Sequence, residues 1–351
     1  MPTTDLERAT QSYAALKERF SQAPGLLRDA YPGNGAYAYL WPYSQALQAT
    51  LDMAALPNDG DEYREDVATR LDGLARYWRP EPQPPGYQST VMPRLGQLSD
   101  VYYDDNLWVA LALVDAARQP GEEGWLARAA AIFDLSESGW DTTPRHPDPG
   151  GVFWVRADWN HDRNTVSTAP TAKLALHLYQ HGDDDRYLDW ALRLLGWVER
   201  YLRAPDGLYW DHIDLQGKID KTEWSYNQGT MLGANALLYR ATGRRVQLDR
   251  AREIASAALR RYGQQNFLGQ PVAFNAIFFR NLLLLGAIDG DEDYRHALRG
   301  YVDALWASAF DAATGLIRGE QGKSFSLLDH SAAVQMAALL CWRPEQYAAI
   351  A

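Results

Sequence analysis

The chain has 351 residues, 46% of them hydrophobic, and is rich in Trp (13) and Tyr (20). That supplies a large core, and some barrel folds use this length as one domain, so a single domain over 1–351 is expected. Net charge is −11 with no basic run, which argues against nucleic acid or an anionic membrane surface as a partner and suits a neutral or cationic small ligand.

Cys341 is the only cysteine, so no intrachain disulfide is available, and zinc spacings are absent. Met1 to Glu7 has neither a basic nor an apolar leader region, which makes a cytoplasmic location the expectation. The longest apolar runs, such as Ala276 to Gly286, read as too short for a membrane span.

Taken in order, nearly every segment has helical periodicity. Helices are expected over Asp5 to Phe20, Pro42 to Leu56, and Asp61 to Trp78. A Pro/Gly-rich loop follows over Pro80 to Pro93. Next come helices over Asp104 to Arg118 and Glu122 to Glu137, then a long polar loop from Trp140 to Asp162. Val166 to His181, Asp184 to Leu202, Glu223 to Thr242 and Val246 to Tyr262 continue the series. Val272 to Ile288, Asp291 to Ala309 and Leu327 to Trp342 complete it. No stretch alternates convincingly as a strand.

The helices come in pairs, and one member recurs. Tyr63, Val67, Leu71 and Leu74 share their spacing with Tyr187, Ala191, Leu195 and Val198, and with Tyr294, Leu298, Val302 and Leu305. Trp125, Ala129 and Phe133 match the first three places. Each such helix follows a Gly/Asp turn: Asp59 to Asp61, Gly121-Glu122, Gly182 to Asp184 and Gly290-Asp291. A second echo is a short extended piece: Gly151 to Trp154, Gly207 to Trp210 and Gly315 to Arg318. Repeated helix pairs need neighbours to bury their apolar faces and could stack as an open solenoid, but about six pairs with no polar capping repeat at either end favour a closed ring. The expected fold is therefore all-α, an (α/α)6 barrel whose inner helices present a cup at one end.

Tyr102-Tyr103-Asp104-Asp105-Asn106-Leu107-Trp108 concentrates the chemistry at the start of an inner helix. Glycoside hydrolysis needs one ionised and one protonated carboxyl on either side of an anomeric carbon, about 5–5.5 Å apart when configuration is retained. Adjacent residues at a helix start diverge by about 100°, which suits such a pair. A helix cap explains the same two acids. A magnesium–diphosphate site would need a third acid three or four residues on, where Leu107 and Trp108 stand, so no metal and no cofactor is expected. Asp183 to Asp185 reads as a solvated cap at the start of an outer helix, and Asp289 to Asp293 as a turn. Glu223 to Gly229 opens another inner helix and interleaves aromatics with hydrogen-bonding groups. Asp162 to Thr165 precedes a third, and Asp329-His330-Ser331 opens the last.

Tyr102 to Trp108 resembles the paired-aspartate signature of glycoside hydrolase family 76, the α-1,6-mannanases. Trp224 to Gly229, followed by Leu238-Tyr239 and Thr242-Gly243, is similar to that family's second block. Gly151 to Trp154 with Arg163-Asn164 resembles its middle block, where a lysine commonly stands at the place of Arg163. The resemblance implies an (α/α)6 barrel and retaining attack on α-1,6-linked mannosides, in mannan or manno-oligosaccharides. By that resemblance Asp104 is the nucleophile and Asp105 the general acid/base. Tyr103, Asn106, Trp108, Trp154, Asn164, Tyr226, Asn227, Gln228 and His330 are the expected sugar-binding residues, on a monomer. The competing readings are another barrel enzyme, a sugar epimerase or an unsaturated-uronide hydrolase, and a non-catalytic sugar binder. An epimerase needs histidines facing the cup, and His330 is one candidate.

Overall fold

A computed structural model describes residues 4–33, 35–91, 99–119, 122–319 and 324–351. Met92 and Pro93 of the expected loop, and Gly121 of the turn before Trp125, lie outside the described residues. Among the described residues there are twelve α-helices: α1 Asp5–Phe20, α2 Leu40–Ala54, α3 Arg64–Leu74, α4 Tyr103–Ala116, α5 Trp125–Ser138 and α6 Thr165–Gly182. The others are α7 Asp185–Tyr201, α8 Ser225–Thr242, α9 Arg245–Phe267, α10 Val272–Asp289, α11 Asp293–Ala309 and α12 Leu327–Cys341.

The even-numbered helices form a closed ring. Each packs on the next, α2 on α4, α4 on α6, α6 on α8, α8 on α10 and α10 on α12, and α12 returns to α2. The odd-numbered helices pack outside them, α1 on α12, α5 on α4, α7 on α6 and α9 on α8. The fold is an (α/α)6 barrel. Sequence separates the two rings. α4 is buried without a break from Asn106 to Val114, as expected of a helix with neighbours on all sides. α7 buries only the stripe Ala191, Leu194, Leu195, Trp197 and Val198. The recurring Tyr/Leu/Val residues are these inward stripes.

Several boundaries differ from the periodicity. The expected helix over Asp61 to Trp78 divides into a 3-10 turn at Gly60–Tyr63, α3, a second 3-10 turn at Ala75–Tyr77, and the strand Trp78–Arg79. α9 runs on to Phe267 across a break at Gly263, whose φ of 48° is open to glycine. α10 is longer than its apolar run suggested. It is long and apolar enough by length and composition to cross a membrane, but 72% of that window is buried inside the ring. It also carries Arg280, whose Nη1 lies 3.0 Å from Asp52 Oδ2 on α2.

Strands of two or three residues do occur, all in the connections. Asp162–Asn164, His212–Asp214 and Ile219–Asp220 form a three-stranded antiparallel sheet. The Gly151 to Trp154 piece bridges Trp140 through Val152 and Arg163 through Phe153. Leu316–Ile317 pairs with Phe310–Asp311. Of these, the Gly151 to Trp154 and Leu316–Ile317 pieces match the expected loop-tip extensions; the others are too short to show an alternating pattern.

Candidate active site

The N-termini of the inner helices open into a cleft of about 670 Å³, within the range of about 300–1,000 Å³ usual for small-ligand sites. Asp104 and Asp105 line it. They are not capping residues. The N-cap of α4 is Tyr102, which makes no side-chain cap bond, so the two acids occupy the second and third helical positions. α4 starts there because the 140–162 loop folds back over it. Tyr102 bridges Val155, the Tyr103 N–H donates to the Trp154 carbonyl at 2.9 Å, and the Arg156 N–H donates to the Val101 carbonyl at 2.9 Å.

That loop brings Trp154 to Asp104. The indole Nε1–H donates to Asp104 Oδ2 at 3.1 Å, and the Asp105 N–H donates to Asp104 Oδ1 at 3.0 Å. Burial pushes the Asp104 carboxyl up to about 7, and nearby Asp211 adds to the rise, while these two bonds pull it back down. Asp105 stands well above the ordinary carboxylate range, first by burial and then through the charge of Asp104. The two neighbours are thus electrostatically unequal: donors aimed at Asp104 favour its ionised form, and burial with the charge of Asp104 shifts Asp105 toward its protonated form.

Of the other expected sugar-binding residues, Trp108, Trp154, Asn164 and Tyr226 line the cleft. Trp108 lies one turn below Asp104. The Tyr226 ring stacks on Phe274, with centroids 3.9 Å apart and planes 6° apart. Asn164 Oδ1 is buried and has no partner among the described residues, a free acceptor at the cleft wall. Asn227 is fully buried, and its Nδ2 donates to Asp211 Oδ1 at 3.2 Å.

Tyr103, Asn106, Gln228 and His330 are not part of the cleft wall. Tyr103 is buried, with its ring against Gly139. The other three belong to a device repeated around the barrel. The fourth residue of each inner helix hydrogen-bonds the backbone of a preceding segment. Asn106 Oδ1 accepts from the Tyr87 N–H at 2.7 Å, and its Nδ2 donates to the Tyr87 carbonyl at 2.8 Å. Gln228 makes the same pair with Tyr209, at 2.8 and 2.9 Å. Thr168 Oγ1 accepts from the Val152 N–H at 2.9 Å. His330 Nδ1 accepts from the Ile317 N–H at 3.2 Å, and its Nε2 donates to the Ser12 carbonyl at 2.9 Å. Tyr43 donates to the Gly25 carbonyl at 2.6 Å, and Asn275 to the Phe267 carbonyl at 2.7 Å. Burial lowers the His330 pKa to about 4, so this ring is neutral and fully engaged. Polar residues at helix starts looked like ligand contacts because both roles call for the same side chains; only their partners distinguish them.

Asp211, His212, Trp41, Phe274 and Tyr102 also line the cleft but were not singled out as contacts. Asp211 accepts from His212 Nδ1 at 2.8 Å. A signal for it existed. Tyr87, Val152 and Tyr209 are the latched residues of three extended pieces. Ser89, Trp154 and Asp211 each stand two places further on, and all three line the cleft, as the two-residue repeat of an extended chain requires. Arg163, the departure from the family's lysine, is fully buried. Its guanidinium donates to Asp141 Oδ2 at 3.0 Å, to the Pro147 and Asp148 carbonyls at 3.0 Å, and to the Asp214 carbonyl at 2.9 Å. It ties the 140–162 loop to the central small sheet. Trp197 presses on that loop too, and a Cβ on Gly151, at φ 76°, would lie 2.5 Å from its ring.

The model of glycosyl hydrolase family 76 matches residues 5–318. The chain belongs to that family. The mannan endo-1,6-alpha-mannosidase DCW1 of Saccharomyces cerevisiae is 25% identical over 280 residues, 73% of this chain. The mannan endo-1,6-alpha-mannosidase DFG5 of the same yeast is 33% identical over 131 residues, 35% of this chain and 28% of its own length. The match spans 59% of the length of DCW1. A family 76 glycoside hydrolase from a bovine Bacteroides thetaiotaomicron strain shares the fold with a TM-score of 0.86 at 24% identity, over 97% of this chain and 78% of that one. An inactive variant of the α-1,6-mannanase GH76A of Salegentibacter sp. HEL1_6, solved with α-1,6-mannotriose, gives 0.80 at 22% identity, over 95% and 98%. The family 76 fold therefore extends over nearly the whole chain.

Proposed function

We propose that the chain is a retaining glycoside hydrolase of α-1,6-linked mannosides, with Asp104 as nucleophile and Asp105 as general acid/base. The observation that carries this reading is the inequality of the two adjacent carboxyls: Asp104 receives two N–H donors, and Asp105 is raised further by the charge of Asp104. Family membership and the names of the yeast relatives support the mannan substrate and the 1,6 linkage.

In the first step an Asp104 oxygen bonds to the anomeric carbon as the glycosidic C–O bond breaks. The Asp105 proton passes to the departing oxygen. In the second step Asp105, now a carboxylate, takes a proton from water. The water oxygen bonds to the anomeric carbon, and the ester to Asp104 breaks. Trp154 Nε1–H keeps Asp104 ionised and turned into the cleft before attack. Aromatic walls at Trp41, Trp108 and Phe274 exclude water and offer faces to the apolar side of a sugar ring.

The test is hydrolysis of α-1,6-manno-oligosaccharides and of aryl α-mannosides by wild type, Asp104→Asn and Asp105→Asn. Wild type releases product of retained configuration, read by NMR in the first minutes. Asp104→Asn abolishes turnover on every substrate. Asp105→Asn spares the glycosylation step when the leaving group is good. Inverted product, or unchanged turnover in Asp104→Asn, overturns the assignment.

A further inference from the structure

Among the described residues, the exposed large hydrophobics are Leu6, Tyr37, Tyr39, Trp159, Val246 and Leu268. Leu6 and Val246 lie at the starts of outer helices, at the end of the barrel away from the cleft. The three aromatic ones lie in loops at the cleft end, and two of them bracket the carboxyl pair. Tyr39, 55% exposed, is the residue before α2 and lines the cleft. Trp159, 54% exposed, stands in the loop before α6, edge-on to Trp154 with centroids 6.5 Å apart. Trp154 is the residue bonded to Asp104. In the ring, α2 and α6 are the two neighbours of α4, the helix that carries both acids.

We infer that Tyr39 and Trp159 are sugar platforms on opposite sides of the scissile bond, holding mannosyl units at the two ends of the cleft and setting where along an oligosaccharide the chain is cut. This inference rests on the proposed hydrolase reading. The physical reason is that a bare indole face in water is unfavourable unless something covers it, and a sugar ring has an apolar face of matching size. The occupant continues the ligand already in the cleft, because Tyr39 is itself part of the cleft wall and Trp159 lies just past Trp154. Two platforms flanking the acids fit a substrate that extends both ways, and they fit poorly with a pocket for one terminal residue.

The experiment compares wild type with Tyr39→Ala, Trp159→Ala and Trp159→Phe on a reducing-end-labelled α-1,6-mannohexaose and on an aryl α-mannoside. Each alanine variant loses about fivefold to tenfold in kcat/KM on the hexaose, the loss expected for one aromatic contact, and less than about twofold on the aryl mannoside. Trp159→Phe recovers most of that loss. The labelled products shift in opposite directions for Tyr39→Ala and Trp159→Ala. Shifts in the same direction, equal losses on both substrates, or no loss on the hexaose overturn the inference. A parallel titration by calorimetry uses Asp104→Asn with and without Trp159→Ala, so that binding is read without turnover. If wild type hydrolyses no mannoside but the platform variant weakens oligosaccharide binding, only the hydrolase reading fails. If the oligosaccharide does not bind at all, the platform inference fails as well.

Discussion

Replacing Trp154 by Phe removes one hydrogen bond from Asp104 and leaves an aromatic ring against Tyr102, whose centroid is 5.1 Å from the indole. The lost bond runs from Nε1 to Oδ2 at 3.1 Å. A hydrogen bond to a charged group contributes about 1.5–3 kcal/mol, and one pKa unit corresponds to about 1.4 kcal/mol. The bond favours the ionised form, so its loss raises the Asp104 carboxyl further, from about 7 by roughly 1–2 units. The nucleophile must be ionised, so the acid limb of kcat/KM, which reports the free enzyme, moves to higher pH by that amount. The limb belongs to the first proton leaving the coupled pair, and the alkaline limb to loss of the second proton, which the reaction needs on Asp105. The assay is the pH dependence of kcat/KM for an aryl α-mannoside, wild type against Trp154→Phe. An acid limb that stays in place or moves to lower pH refutes the claim that Trp154 holds Asp104 ionised. A uniform drop in rate at all pH values would mean that the ring serves only packing.

Asp105→Asn raises the melting temperature at pH 7.5, because folding the wild type raises this carboxyl well above its unfolded value. Burial and the charge of Asp104 raise the folded value above the unfolded one, so wild-type stability falls as pH rises from the unfolded value toward the folded one; near pH 3, where both states are protonated, the advantage disappears. Asn106→Ala and Gln228→Ala each strand a buried N–H and carbonyl, of Tyr87 and Tyr209 respectively, and each lowers the unfolding free energy by roughly 2–4 kcal/mol in urea titrations; an unchanged midpoint would remove the latch role. Arg163→Lys keeps a charge near Asp141 but cannot span Asp141 and the Asp214 carbonyl together, so limited proteolysis cuts the 140–162 loop faster than in wild type. Turnover survives EDTA, since both steps are carried by carboxyl groups; complete loss restored by a divalent cation would contradict the proposed chemistry.

The sequence by itself determined the helix pairs and favoured their closure into a ring. Its period of helix pairs and the Tyr/Leu/Val stripes of the outer helices specify which face each outer helix buries, and burial of apolar area decides how such helices stack. It also marked Asp104 and Asp105, because two adjacent acids among aromatics at the start of an apolar helix stand out locally. Tertiary structure alone decided which polar neighbours face the cleft. Asn106, Gln228 and His330 have the composition of ligand contacts, but each spends its hydrogen bonds on backbone contributed by preceding segments of the chain. His212 opens an unremarked strand, Asp211 stands just before it, and both reach the cleft because that strand pairs with Asp162–Asn164. Periodicity reads neighbours three or four places apart on one helix. The partners of a loop residue lie 19 residues away for Asn106 and 50 for Trp154, and only the closed ring brings them within bonding distance.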